Sequence, residues 1–372
     1  MIRQPVPFIR KDWQKKVEEI GFHFYEIDGL LYWDESVYYQ FSSEEVDKIE
    51  VVTETLYSMC LELVEYVIRD NLLESFAIPE QFHDYVRSSW KRKEPALYGR
   101  FDLWYDGKGE PKLLEFNADT PTALFEAGVI QYYWLQDFDA SKDQFNSIHE
   151  KLFEVLQKKI HRFVKGDTFY FSSVKETLED YTTSEYLRDM AIQAGMNTAQ
   201  IFIEDIGYDH DNKRFVDLDG NQIRFLFKLY PWEYMLTDEF APNLPTTDIT
   251  LFEPPWKMIL SNKAILPLLW EMYPNHPNLL PSYFSAPNTL APFVEKPFFS
   301  REGEGIFIDT RFTASKKRAI YQKYCELPSF SGNYPVIGSW IIGSQPAGIG
   351  VREDTTPITN NLSRFVPHLF CD

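Results

Sequence analysis

The chain has 372 residues, more than one ordinary domain, which predicts two or three lobes around a shared cleft. Apolar residues at 44% against 25% charged exclude a disordered chain. Acids outnumber bases 56 to 37, for a formal charge of −19, which excludes a long nucleic-acid track.

A few local cations can still hold a mononucleotide, and the negative balance suits a cationic co-substrate. Cys60, Cys325 and Cys371 cannot build a disulfide framework, and no CxxC pair suggests zinc. Apolar stretches such as AILPLLW are too short to span a bilayer, and the N-terminus lacks a signal-peptide core. The expectation is a cytoplasmic protein with reduced thiols and neither membrane nor nucleic-acid partner.

In chain order, the first forty residues are aromatic-rich and show no clear period. Ser42 and Glu45 have capping-box spacing, and Ile49, Val52, Leu56, Met59, Leu63 and Val67 follow at steps of three or four. That pattern predicts a long amphipathic helix. Residues 97–117, LYGRFDLWYDGKGEPKLLEFN, place two alternating runs around an Asp-Gly turn and predict a β-hairpin. A helix is expected next, from near Pro121.

From Asp167, TFYFSSV reads as a strand, SEYLRDMAIQAG as a helix stopped by Gly195, and TAQIFIEDI as a second strand. This is a βαβ-like unit and implies a parallel sheet. A turn at Leu218–Asn221 leads to FLFKLYPWEYM. From about residue 258 come a short helix in SNKAILPLLWEMYP, the strand FVEK, the loop SREGEG, the strand IFI and a C-terminal hairpin in YPVIGSWIIGSQPAGIGVRE.

The chemistry concentrates in the 97–117 hairpin. Arg100 and Asp102 share one face of their strand, and Glu115 and Asn117 share one face of theirs. If the faces coincide, two carboxylates and an amide converge as hard oxygen ligands of the kind magnesium prefers. Cross-strand ion pairs on a solvated face are the alternative.

Lys296 precedes a loop containing Arg301, Gly303 and Gly305, where backbone amides can approach phosphate. It matches neither a Walker loop nor a dinucleotide fingerprint, and an ordinary turn is the alternative. Arg352 and Lys263 are each open between an anion contact and a surface position. No HxH, HExxH or GxSxG spacing occurs, so nucleophilic hydrolase chemistry is unsupported. The aromatic, acidic composition also admits a glycosidase, although such an enzyme has no use for the lysine and its glycine loop.

Taken in order, YGRFD, LLEFNADTPT, FEAG, LFKLYPWEYM, SNKAILPLLWEMYPNHPNLLP, EKPFFSREGEG and AGIGVRED resemble the glutathionylspermidine synthase family of ATP-grasp ligases. The likeness runs from residue 97 to the C-terminus, to the branch without an amidase domain. It implies an α/β protein with α+β lobes, a permuted ATP-grasp fold with an inserted α/β substrate-side domain. The segments would be 1–165 with the metal hairpin, 166–257 on the substrate side, and 258–372 with the nucleotide lobe and lid.

The implied reaction is ATP- and magnesium-dependent amide formation between a peptide carboxylate, for instance glutathione, and an amine, through an acyl phosphate. The resemblance implies Asp102, Glu115 and Asn117 as magnesium ligands and Arg100 as a contact to the carboxylate. Lys263, Lys296, Arg301, Gly303 and Gln322 would serve ATP, and Arg352 would stabilise developing charge. Thr120, Thr122, Glu179 and Asp180 would line the peptide and amine sites. Arg364 falls about where polyamine-using members carry an acid, so the same comparison predicts repulsion of a polyamine. SKKRAIYQKY departs from the usual adenine-side segment while keeping its IYQ core.

Overall fold

The computed structural model describes residues 1–164, 166–286, 292–301, 303–309 and 318–371. Its long helix, Ser43–Arg69, starts where the sequence placed it. Ser42 Oγ accepts the Glu45 amide at 3.3 Å, and Glu45 returns a carboxylate oxygen to the Ser42 amide at 2.9 Å. Both orphan donors of the first turn are thereby satisfied. The predicted stripe, Ile49 to Val67, is buried throughout. Thr53 meets Ser339 at 2.6 Å, which seats the helix on a five-stranded sheet.

That sheet is antiparallel and runs Arg364–Val366, Gln345–Asp354, Tyr334–Ile342, Tyr98–Trp104, Lys112–Asn117. It therefore joins the predicted 97–117 hairpin to the C-terminal hairpin from the other end of the chain. A register shift between Asp102 and Leu103 leaves Leu114 without a cross-strand partner, a bulge of the kind that re-aims groups beside functional sites.

A parallel sheet of four strands lies within residues 168–252, in the order Thr250–Phe252, Phe225–Lys228, Thr168–Ser173, Asn197–Phe202. The helix Leu178–Gln193 makes the crossover from the first strand to the second, as the βαβ reading requires. A third sheet, Ser282–Tyr283, Ala319–Lys323, Phe293–Pro297, Phe307–Asp309, is antiparallel. A fourth brings the chain ends together, because His368–Cys371 pairs with Val37–Ser42, which pairs with Ile2–Pro5. The whole is a mixed α/β protein, and no described helix is long and apolar enough to cross a membrane.

Several boundaries differ from the sequence reading. Helix expected from Pro121 begins at Leu124, because Ala123 sits at φ 64° and interrupts the turn. The helix expected over 184–195 begins at Leu178, and the following strand ends at Phe202 with a tight turn at Ile203–Asp205. A short helix, Trp13–Glu19, and the Val37–Ser42 strand occupy the region that showed no period.

Candidate active site

The hairpin register decides the first question. Arg100 stands opposite Asn117 and Asp102 opposite Glu115, so all four polar side chains share one face. Arg100 binds Asp102 through two bonds, Nε to Oδ1 at 2.6 Å and Nη2 to Oδ2 at 3.0 Å. Its remaining nitrogen, Nη1, donates to the Thr122 carbonyl at 2.6 Å. Asn117 donates to Asp102 at 3.1 Å and to Glu115 at 3.3 Å. Across the sheet, Gly338 faces Asp102, and a Cβ there would lie 2.8 Å from Arg100 Cδ. The glycine supplies the room in which the arginine lies.

Cations from distant segments complete the arrangement. Lys263 donates to the Ser300 carbonyl at 2.8 Å and sits 3.1 Å from Glu115. Lys296 donates to Gln322 and to the carbonyl of the bulged Leu114, both at 2.8 Å. Gln322 in turn donates to the Leu113 carbonyl at 3.1 Å. Burial pushes the Lys296 ammonium down to about 8, Glu115 pulling it up and Lys263 pushing it further down. Burial alone would raise Glu115, but Lys263 and Lys296 hold it at about 2. Burial also raises Asp102, against the pull of Arg100.

Two adjoining chambers result. A polar cleft of about 850 Å³ is lined by Arg100, Asp102, Glu115, Asn117, Thr120, Thr122, Lys263, Arg301, Gly303 and Arg352, among others. A more apolar chamber of about 710 Å³ shares Asp102, Glu115, Gly303 and Thr359 with it and adds Leu280, Val294, Lys296, Ile306, Gln322 and Leu327. A Cβ on Gly303, at φ 75°, would sit 2.8 Å from the Thr359 carbonyl, so the loop closes tightly at the junction.

Three buried polar atoms of the polar cleft lack hydrogen bonds: Ser300 Oγ, Arg301 Nε and Arg352 Nε. Arg301 Nε lies 3.5 Å from Glu233, within ion-pair range only. Unsatisfied buried donors fit an anion that would occupy the cleft. Asp102, Glu115 and Asn117 bring carboxylate and amide oxygens, which fit a magnesium ion completed by water and phosphate. Among the described residues, no cluster of three or more His, Cys, Asp or Glu forms a separate metal site.

Arg352 is thus a cleft residue and not a surface one, steadied by Nη2 bonds to the Asn360 and Ser363 carbonyls at 2.6 and 3.4 Å. Thr120 accepts from Arg301 at 2.6 Å through its hydroxyl, whereas Thr122 contributes its carbonyl to Arg100. Glu179 and Asp180 line neither chamber. They stand in the first turn of the Leu178–Gln193 helix, where Glu179 acts on Glu126 and Asp180 on Tyr98 electrostatically. Arg364 is no free cation: it pairs with Asp34 at 3.0 Å and Glu353 at 2.8 Å and donates to Asn333 at 2.6 Å. Its expected repulsion of a polyamine is cancelled by those two acids. Glu302 and Ser315, Lys316 and Lys317 lie outside the described residues.

The sequence reading missed Glu233, Asp119 and the Thr359–Asn361 turn, all of which line the polar cleft. It also missed Glu126, fully buried, which accepts from the Tyr32 hydroxyl at 2.6 Å and leaves Oε2 without a partner. Burial and then Glu179 push its carboxyl up to about 8. The available signal for Glu126 was a lone acid inside the apolar run ALFEAGVI.

Known proteins resemble this chain in sequence over nearly its whole length. The profile described as glutathionylspermidine synthase preATP-grasp matches residues 5–371. A Haemophilus influenzae protein described as a candidate acid–amine ligase is 42% identical, covering 97% of each chain. Trypanothione synthetase of Crithidia fasciculata is 28% identical over 83% of this chain, which spans 53% of that longer protein. Among solved structures, a glutathione synthetase-like effector from Globodera pallida, in its apo form, aligns with a TM-score of 0.63 at 12% identity, covering 99% of this chain and 100% of the effector. That likeness is one of fold.

Proposed function

Because the chain belongs to the glutathionylspermidine synthase preATP-grasp family, we propose that it is an ATP- and magnesium-dependent ligase. It joins the carboxylate of a small peptide, glutathione being the first to test, to an amine through an acyl phosphate. The observation that carries this reading is one cleft in which the hairpin carboxylates, Lys263 and two arginine Nε donors without hydrogen bonds meet beside an apolar chamber that holds Lys296.

Charge supports a metal. The polar cleft is lined by four cationic side chains, Arg100, Lys263, Arg301 and Arg352, and four anionic ones, Asp102, Glu115, Asp119 and Glu233. With Asp119 neutralised by Lys228, and with Lys296 in the adjoining chamber, the cationic surplus is small beside the charge of a triphosphate. Asp102, Glu115 and Asn117 would hold magnesium, which would add positive charge and polarise the phosphoryl oxygens.

The protein's own groups divide the remaining work. The apolar chamber receives the base, and Lys296 and Lys263 face the phosphates, with Gln322 fixing Lys296. Arg100 orients the substrate carboxylate, whose oxygen attacks the γ-phosphorus as the bond to the bridging oxygen of ADP breaks. The amine nitrogen then attacks the acyl carbon, phosphate leaves, and the nitrogen gives up a proton. Arg352, with an unused Nε, is set to stabilise the oxyanion of the tetrahedral intermediate. Thr120 and Thr122 border the peptide; Glu179 and Asp180, which line neither chamber, would act on the amine only at a distance. The segmentation at residues 165 and 257 and the permuted ATP-grasp order belong to the same reading. All four parallel strands fall inside the middle segment, which supports it.

The test is phosphate release from ATP with magnesium over a grid of small peptides, glutathione included, against amines, spermidine included. Release that requires one peptide and one amine together establishes the ligase and identifies both. If ATP binds but no pair releases phosphate, the ligase reading fails and a nucleotide-binding protein without ligase activity remains.

A further inference from the structure

The strand Phe225–Lys228 is apolar until its last residue, and Lys228 is fully buried. Its ammonium donates to Asp119 Oδ1 at 2.6 Å and to the Tyr230 carbonyl at 2.9 Å, and lies 4.5 Å from the centre of the Trp232 ring. Asp119, 2% exposed, uses its second oxygen to accept the Trp232 amide at 2.9 Å. One carboxylate thus ties the segment after the hairpin to the last residue of a parallel strand and to the first turn of the helix Trp232–Met235.

Stability is a poor explanation for this pair. Removing two charges from water costs several kcal/mol per ion, and apolar replacements of similar volume are often neutral or better. An apolar pair cannot, however, fix a turn in one orientation. The turn at 118–122 holds two arginines: Thr120 Oγ1 accepts from Arg301 at 2.6 Å, and the Thr122 carbonyl accepts from Arg100 at 2.6 Å. On the other side, Trp232 precedes Glu233, which lies 3.5 Å from Arg301. Lys263, Lys296 and Gln322 hang instead on Ser300, Glu115, Leu114 and Leu113.

We propose that the Asp119–Lys228 ion pair is a positioning device for the acid-substrate end of the cleft, fixing the 118–122 turn and through it Arg100. Neither residue touches the reacting atoms. This rests on the ligase reading for its kinetic consequence and on geometry alone for its structural one. Lys263, Lys296 and Gln322 take no bond from the ion pair, so the device acts first on how the acid is held and far less on ATP binding.

The experiment uses the full chain and the double variant Asp119→Leu with Lys228→Met, which leaves no orphan charge. With the productive acid and amine found above, KM for the acid is expected to rise at least tenfold while KM for ATP stays within twofold. A merely structural role would lower the active fraction and leave both KM values unchanged. A folded double variant whose acid KM is within twofold of the native chain overturns the proposal. Should the double variant not fold, Asp119→Asn, which keeps an acceptor for the Trp232 amide, is judged by the same split. Hydrogen exchange read by mass spectrometry gives an answer independent of turnover. Peptides covering 118–122 and 232–235 are expected to exchange faster in the variant, and 293–297 at the native rate. Native-rate exchange at the first two overturns the positioning role, whereas an inactive native chain with these shifts counts only against the ligase reading.

Discussion

Gly338→Ala is the most direct probe of the candidate site, because one added carbon meets one functional side chain. The new Cβ would lie 2.8 Å from Arg100 Cδ and 3.4 Å from Cγ and Nε. Carbon atoms rest at roughly 3.5–4.0 Å, so something must move by about 0.7 Å or more. The arginine cannot simply swing aside. Its guanidinium is fixed by Asp102 at 2.6 and 3.0 Å, by the Thr122 carbonyl at 2.6 Å, and by the Trp340 ring 5.7 Å away. The backbone at Gly338 is equally held, pairing with Asp102 on one side and Gly350 on the other. Overpacking of this kind costs about 1–3 kcal/mol of stability, and misplacement near 1 Å costs on the order of a hundredfold in rate. The expectation is a folded protein with modestly lower Tm, a 30- to 100-fold loss (order of magnitude) in kcat/KM for the acid, and an unchanged KM for ATP. Continuous phosphate release with each substrate varied separately measures all three. A variant within threefold of the native kcat/KM would refute the assignment of Arg100 to the acid substrate.

Three further expectations concern charge. Asp102→Asn and Glu115→Gln remove a negative charge each while keeping shape, and are preferred to alanine because the amide still offers one acceptor oxygen to the buried Arg100; both should abolish magnesium-dependent ATP turnover with the circular dichroism spectrum preserved, and native turnover by either would sink the ligand assignment. Lys296, held near 8 by burial, is largely neutral at about pH 9, and a bound triphosphate should restore its charge. ATP binding is therefore expected to take up a proton at about pH 9 but not near pH 6.5, read by titration calorimetry in two buffers of different ionisation heat; no buffer dependence at the higher pH would count against it. Glu126, raised to about 8 by burial and then by Glu179, keeps its proton in the folded chain over a range where the unfolded chain has released it. Folding stability should then fall as pH rises between the ordinary carboxylate value and about 8. Glu126→Gln is expected to raise Tm by an increment that grows across that window, and an increment independent of pH would refute this account.

Much of the local structure was legible because it depends on neighbours in sequence. The capping box at Ser42 and the stripe from Ile49 to Val67 follow from helix geometry alone. The pairing of Arg100 with Asp102 and of Glu115 with Asn117 on one face of their strands follows from the period of a strand. Where the reading slipped, backbone conformation overrode pattern, as at Ala123, whose positive φ delays a helix that Pro121 alone would have begun.

The sequence by itself therefore determined which polar groups share a face within each strand of the hairpin, since the side-chain period of a strand is two, while the register of the pair was left to the structure. Only the tertiary structure decided which cations meet these groups. Lys263 and Lys296 arrive from beyond residue 258, and Leu114 receives Lys296 because a bulge frees its carbonyl. The same is true of the partners that cancel Arg364 and of the carboxylate that receives Lys228. Apart from Arg364 with Glu353, these pairings join residues over a hundred positions apart, and periodicity carries no record of them. They are selected by what each buried charge finds when the sheets close around it, because an ion without a partner there is too costly to keep.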